Sequence, residues 1–414
     1  MRKLLSLTLM ALAGTTAFAG GYRVSIQGQK QLGMGHTGVA VVNNSAEVSF
    51  FNPAGMAYLE KKFNVSVGGS ALFSKTRFQE NTFNTTAASD NMGTPFNVYA
   101  TYKVNDWLTA GMAIYSPYGS TVEWDQNWQG AYLVNNIELQ AIFFQPTISV
   151  RVGEHFSVGG GPILARGGVN FNRNLFASNG TFVGENGDPT DLTLDAKGIT
   201  AWGYNVGIMF NPSEKVRLGM NYRSEIIMEA RDGKATFNDV PAFAQSTFTP
   251  TTFNADLPLP AEFTAGISYK PSNNWLFAFD YNYAKWSAYQ SLDVQFANGL
   301  PESVNPRNYK NSSTYRFGAQ YMASEKFTLR AGYYFDESPV QDGYFAPETP
   351  RNDSNGFTGG LTYQINSKLG IDMSLLYLHF DEIDNSYDFN ANGIFRGTYK
   401  SSVLSAGIGL TYGF

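Results

Sequence analysis

The chain contains no cysteine and only three histidines, His36, His155 and His379. Without cysteine there are no disulfides, so a chain bearing an export signal must gain its stability from architecture. The scattered histidines have no metal-ligand spacing, and no Ser–His–Asp or zinc constellation stands out, so neither enzyme chemistry nor a cofactor is expected. Charge is scarce as well, at 15% of residues, against about 25% in ordinary soluble domains. The net charge of −5 offers no basic face for nucleic acid. Long apolar runs are also missing. Leu4 to Ala13 is too short to span a bilayer, and no later stretch reaches the ~18 residues of a membrane helix. Mean hydropathy is −0.22, the value of a soluble chain by that measure alone.

The short apolar run has a different reading. Met1-Arg2-Lys3 is basic, Leu4 to Ala13 follows it, and Ala17-Phe18-Ala19 is a small-residue cleavage signal. Residues 1–19 are therefore expected to be a signal peptide, with the mature chain starting at Gly20.

Aromatic residues and glycine are abundant, with 24 Tyr, 32 Phe and 42 Gly. A barrel wall explains that mixture, because aromatics face lipid and its interfaces while glycine suits strongly bent strands. Beyond residue 62 the dominant pattern is period-2 alternation. Phe277, Phe279, Tyr281 and Tyr283 alternate with Ala278, Asp280 and Asn282, and Trp202, Tyr204, Val206, Ile208 and Phe210 alternate with Gly203, Asn205 and Gly207. Strands are placed near 63–78, 94–104, 107–116, 138–152, 155–172, 194–210, 214–229, 260–270, 274–286, 309–322, 326–337, 356–365, 368–380 and 399–414. Fourteen is an even number, as single-chain bacterial barrels require. Short turns such as Asn105-Asp106 and Asn366-Ser367 alternate with long polar connections at 79–93, 117–137, 173–193, 230–259, 287–308, 338–355 and 381–398. That is the alternation of periplasmic turns and extracellular loops in an outer-membrane barrel. The last strand ends on Phe414, and pairing it with the strand from Phe63 closes the barrel and leaves no exposed edge.

Residues 20–62 do not read as strand. Gly33-x-Gly35-x-x-Gly38 matches a dinucleotide fingerprint in spacing but lacks the preceding strand and following acid, so a compact plug inside the pore is the better reading. By parity, Arg173, Arg223, Glu262, Asp280, Lys310, Arg316, Arg330 and Asp372 point inward. Most of them are expected to form a hydrogen-bonded lumenal network, here Arg223, Asp280, Arg316, Arg330 and Asp372. One or two basic groups, Arg173 or Lys310, are the candidates for contact with an anionic head group.

Several motifs in order resemble the FadL/TodX family of outer-membrane transporters for long-chain fatty acids and aromatic hydrocarbons. Asn52-Pro53-Ala54 is similar to the family's hatch motif, and Ser116-Pro117-Tyr118-Gly119 to an element after its third strand. Tyr222-Arg223-Ser224-Glu225, Leu257-Pro258-Leu259-Pro260, Trp286-Ser287, Tyr315-Arg316 and Phe335-Asp336-Glu337-Ser338-Pro339-Val340 follow at matching strand positions. The resemblance implies an N-terminal hatch (20–62) within a fourteen-stranded barrel (63–414). It implies capture of a small hydrophobic substrate by loops 117–137 and 173–193, binding in the lumen beside the hatch, and release sideways through a kink in the third strand. Gly111 and Pro117 are the candidates for that gate, and the family's basic ligand contacts fall near Arg173 and Lys310. Such a barrel would meet outer-membrane lipid and lipopolysaccharide, depend on the barrel-assembly machinery for insertion, and act as a monomer. Two other readings stand beside it: a barrel-anchored adhesion protein whose loops grip a partner, and a diffusion porin for polar solutes.

Overall fold

The computed structural model describes residues 22–82, 84–124, 127–177, 180–389 and 393–414. The expected signal peptide lies outside them. One closed antiparallel sheet of fourteen membrane-crossing strands dominates the molecule. These are β1 (Phe63–Glu80), β2 (Thr86–Gly93 and Phe96–Lys103), β3 (Leu108–Glu123), β4 (Asn136–Val152), β5 (Phe156–Asn174), β6 (Asp191–Phe210) and β7 (Val216–Arg223 and Ile226–Asn238). They continue as β8 (Thr251–Leu259 and Glu262–Tyr269), β9 (Trp275–Ala284), β10 (Ser312–Met322), β11 (Phe327–Asp336), β12 (Ser354–Gln364), β13 (Leu369–Phe380 and Ile383–Tyr387) and β14 (Phe395–Gly413). Each strand pairs with its sequence neighbours, and β1 pairs with β14 from Asn64↔Gly413 to Glu80↔Gly397. Closure satisfies the backbone groups that lipid would leave bare. No helix among the described residues is long and apolar enough to cross a membrane; the chain crosses with strands.

The side chains sort as the alternation demands. On β9, Ala278, Asp280 and Asn282 are buried while Phe277 and Tyr283 are exposed on the outer wall. On β14, Ile408, Leu410, Tyr412 and Phe414 face outward in the same way. The strands run further than their alternation indicated. Residues 117–123, 86–93, 230–238 and 251–259 were expected in loops yet continue β3, β2, β7 and β8. Above the lipid the outer face has no reason to be apolar, so the pattern fades while the backbone ladder continues.

The N-terminal segment packs against the inward-facing residues. It carries two single-turn helices, α1 (Gln29–Leu32) and α2 (Val48–Phe51), and a 3₁₀ stretch Pro53–Tyr58. Its fit explains much of the glycine. A Cβ on Gly332 would lie 2.0 Å from Gly35 N, and one on Gly207 would lie 2.1 Å from Asn52 Oδ1. A Cβ on Gly111 of β3, Gly159 of β5, Gly219 of β7 or Gly318 of β10 would meet the same segment at 2.7, 2.6, 2.1 and 2.3 Å respectively. Wall glycine thus serves close approach of the plug rather than strand curvature alone.

Candidate functional site

Among the described residues, three cavities follow one another down the lumen. The outermost, about 760 Å³, is walled by apolar side chains such as Ile137, Phe171, Leu194 and Phe253. Arg173 reaches into it from β5 and donates one hydrogen bond to Ser303 Oγ at 3.2 Å. Arg307 lines the same wall, where it is paired with Glu348 and donates to Tyr387 Oη at 2.8 Å. Burial works against the charge of Arg307, but the Glu348 carboxylate and nearby phenols hold it above the ordinary guanidinium range. Arg307 is therefore compensated. Arg173 has no carboxylate partner among the described residues.

A second cavity of about 750 Å³ shares Ile137, Val169, Ala255 and Leu292 with the first and is almost wholly apolar. Its floor is Tyr22, the first described residue. The Tyr22 ring meets Trp286 edge-on at 5.0 Å and Tyr289 at 5.5 Å, and its hydroxyl donates to the Pro258 carbonyl. Such a cluster contributes about 0.5–1.5 kcal/mol per ring pair beyond burial.

Beside that floor the wall itself is irregular. Pairing between β2 and β3 ends at Asn97↔Tyr115, and the β3–β4 register shifts between Tyr115 and Tyr118. The two residues skipped are Ser116 and Pro117, and proline cannot donate to a ladder. The edge of β3 that β2 vacates is taken by the N-terminal segment. Val24 N donates to Pro117 O at 2.7 Å and Gly119 N donates to Tyr22 O at 2.9 Å. The irregularity in β3 thus lies at Pro117. At Gly111 both ladders are intact, with Thr101 and Thr147 as partners, and its missing side chain accommodates Met56. Gly111 is thus a point of contact with the N-terminal segment within a regular stretch of β3.

The third cavity, about 460 Å³, is polar and lies between the N-terminal segment and β7–β10. Arg23 crosses it to bond Asn282 (2.6 Å), Thr314 (2.9 Å), Asp336 (3.0 Å) and Glu262 (3.2 Å). Tyr118 Oη donates to the other oxygen of Glu262 at 3.0 Å. Asp280 Oδ2 accepts from the Gly38 and Val39 amides at 2.7 and 3.0 Å. Arg223 lies over the Phe50 ring at 4.7 Å and donates to the Phe50 carbonyl at 3.3 Å. Arg316 also lines this cavity. A separate network sits nearer the periplasm. Arg330 donates to Thr362 (2.6 Å), Thr362 to Asp372, and Lys30 comes within 3.9 Å of Asp372.

Asn52-Pro53-Ala54 fastens the segment below. Asn52 Nδ2 donates to Val39 O (2.8 Å) and Ile208 O (2.9 Å), while its Oδ1 caps the Ala54 amide. The Ala54 carbonyl accepts from Ser149 and Ser157 hydroxyls. Lys310 lies outside all three cavities: it is exposed, and its amide bonds Pro339 O. Parity was misleading there because Lys310 lies in a folded loop that precedes β10. Tyr22, Arg23, Arg307 and Glu348 were not singled out by the sequence, since each acts through partners more than 40 residues away or in a loop without period.

A closed fourteen-stranded barrel with an occupied lumen and aromatic outer wall defines an outer-membrane transport protein. The sequence matches the family described as outer membrane protein transport protein (OMPP1/FadL/TodX) over residues 10–414, and the chain belongs to that family. Outer membrane protein P1 of Haemophilus influenzae is 25% identical, covering 98% of each chain. The long-chain fatty acid transport protein of Salmonella typhi is 22% identical over 93% of this chain and 94% of its own. Among solved structures, a Pseudomonas aeruginosa FadL homologue superimposes with a TM-score of 0.84 at 18% identity, covering 95% of this chain and 100% of that one. The Pseudomonas putida toluene transporter TodX gives 0.70 at 15% identity, covering 96% of this chain and 99% of its own.

Proposed function

We propose that the chain carries long-chain fatty acids or similar hydrophobic molecules across the outer membrane. The N-terminal residues up to 62 act as its hatch. Cargo is caught among the extracellular loops, passes down the two apolar cavities, and leaves sideways into the bilayer where β3 is irregular. The observation that carries this reading is the sequence of two contiguous apolar cavities, about 760 and 750 Å³, ending at a wall edge that Tyr22–Val24 cover. An apolar solute gains by staying out of water along the whole route and by leaving into lipid. The names of relatives, a long-chain fatty acid transport protein and a toluene transporter, support the substrate class.

Within the outer cavity Arg173 is the head-group contact, because its guanidinium forms no ion pair among the described residues, whereas Arg307 is paired with Glu348. The closed β1–β14 seam favours a monomer bathed in lipid and lipopolysaccharide, inserted by the barrel-assembly machinery. The test is uptake of radiolabelled dodecanoate at limiting concentration by cells with and without the gene. Faster uptake with the gene is expected, with little ion conductance in planar bilayers. Equal uptake, or steady conductance of a diffusion porin, would overturn the reading.

A further inference from the structure

Arg316 projects from β10 directly across the sheet from Asp280 on β9. It makes no hydrogen bond and no ion pair among the described residues, although it is only 6% exposed and its Nε is buried. The carboxylates around it, Asp280, Asp336 and Glu262, act on it through space but accept their hydrogen bonds from other groups. Asp280 holds the Gly38 and Val39 amides, and Glu262 and Asp336 hold Arg23. Arg223, in the same cavity, donates to the Phe50 carbonyl and lies against the Phe50 and Tyr115 rings, with Glu262 near but not ion-paired to it and its own Nε without a partner among the described residues. A guanidinium carries five donors and is costly to bury without a counter-charge. Two such groups therefore face one 460 Å³ polar cavity with donors unspent.

We propose that Arg316 and Arg223 form a carboxylate site, a second resting place for the head group of an acidic cargo. This rests on the transport reading above. The ligand class follows from geometry: a planar oxyanion accepts two parallel N–H bonds from a guanidinium, which an alcohol or a hydrocarbon cannot match. The site's position gives it a use. Pro117, where β3 is irregular, lines the same cavity, so the head group rests beside the wall edge while the tail lies in the apolar space above Tyr22. Carboxylates would thus be held at the exit and uncharged molecules would not.

The test measures binding of dodecanoate and of 1-dodecanol to the detergent-solubilised full chain, and to the Arg316→Met, Arg316→Lys and Arg223→Met variants. Methionine keeps the apolar stem, and at Arg316 it breaks no hydrogen bond or ion pair among the described residues; heat-modifiable migration checks that each variant folds. Arg316→Met should lose roughly ten- to a hundred-fold in dodecanoate affinity, leave dodecanol within about two-fold, and be partly rescued in Arg316→Lys. Crystals of the unaltered protein soaked in bromide should show an anomalous peak between the two guanidiniums, lost on adding dodecanoate. An unchanged ratio of dodecanoate to dodecanol affinity in both methionine variants would overturn the proposal. Bromide that dodecanoate does not displace would also overturn it, assigning the site to a free small anion. If neither amphiphile binds the unaltered protein, it is the transport reading that fails, and the bromide peak still decides whether an anion site exists.

Discussion

Asp280 and Arg316 face each other across β9 and β10 but do not form an ion pair, because Asp280 is turned to the amides of Gly38 and Val39. A cross-strand pair of opposite charge would ordinarily find each other. Here the carboxylate anchors the hatch instead, and the guanidinium is left facing a polar cavity. The seating of the hatch and the chemistry of the lumen are thus settled by one choice of partner.

Removing the anchor should therefore loosen the hatch. Asp280→Ala withdraws a charged acceptor from two buried amides, a loss of about 1.5–3 kcal/mol for each bond of this kind at most. The expected outcome is faster proteolytic cleavage within 22–62 while the barrel stays heat-modifiable. A hatch as resistant as in the unaltered protein would show that other contacts hold it.

The close approach at Gly332 makes a sharper prediction. Its Cβ would sit 2.0 Å from a backbone nitrogen, with no flexible side chain to give way. Gly332→Ala should cost on the order of 1–3 kcal/mol or more, as overpacking does, and lower the thermal unfolding midpoint. Gly359, one strand away, has nothing within 4 Å of its Cβ position. Alanine there should leave the midpoint within a degree or two, and equal effects at both positions would count against hatch packing as the cause.

Arg173 and Lys310 separate cleanly. Arg173→Met should weaken dodecanoate binding about ten-fold, the loss of one charge-assisted bond, without affecting 1-dodecanol. Lys310→Ala should do neither, because Lys310 is exposed outside the cavities. Competition binding on the purified barrel measures both, and a larger effect at Lys310 would relocate the head-group contact.

The lateral route is testable because the chain has no cysteine of its own. Val24 and Pro117 are bonded through N–H and carbonyl at the edge of β3. In the Val24→Cys/Pro117→Cys double variant, oxidation should pin Tyr22–Val24 to β3 and bring dodecanoate uptake down to the level of cells lacking the gene. Reduction should restore it, with lumenal binding unchanged throughout. Undiminished uptake by a fully oxidised protein, verified by mass, would exclude exit at this edge.

Much of this molecule was legible before any coordinates. Phe277 to Tyr283 declared an outer and an inner face, turns such as Asn105-Asp106 were visibly short, and the hatch motif Asn52-Pro53-Ala54 stood outside any strand. Arg173 was correctly aimed inward by parity, while Lys310 was not, because parity means nothing in a folded loop. The irregularity in β3 was narrowed to Gly111 and Pro117 but not decided. Glycine and proline each have two explanations in a strand, and only neighbours choose between them: Met56 explains Gly111, and the lost β2 ladder explains Pro117.

The sequence by itself determined a closed fourteen-stranded barrel, because lipid outside and a polar lumen inside impose a period of two on every crossing strand, and that period is local. What the tertiary structure decided is everything that depends on which distant groups share the lumen. Arg23 meets Asp336 across 313 residues, Asp280 meets Gly38 across 242, and Tyr22 meets Pro258 across 236. No spacing rule encodes such meetings. They arise when the hatch is enclosed, and each carboxylate it claims determines which guanidinium is left for a ligand.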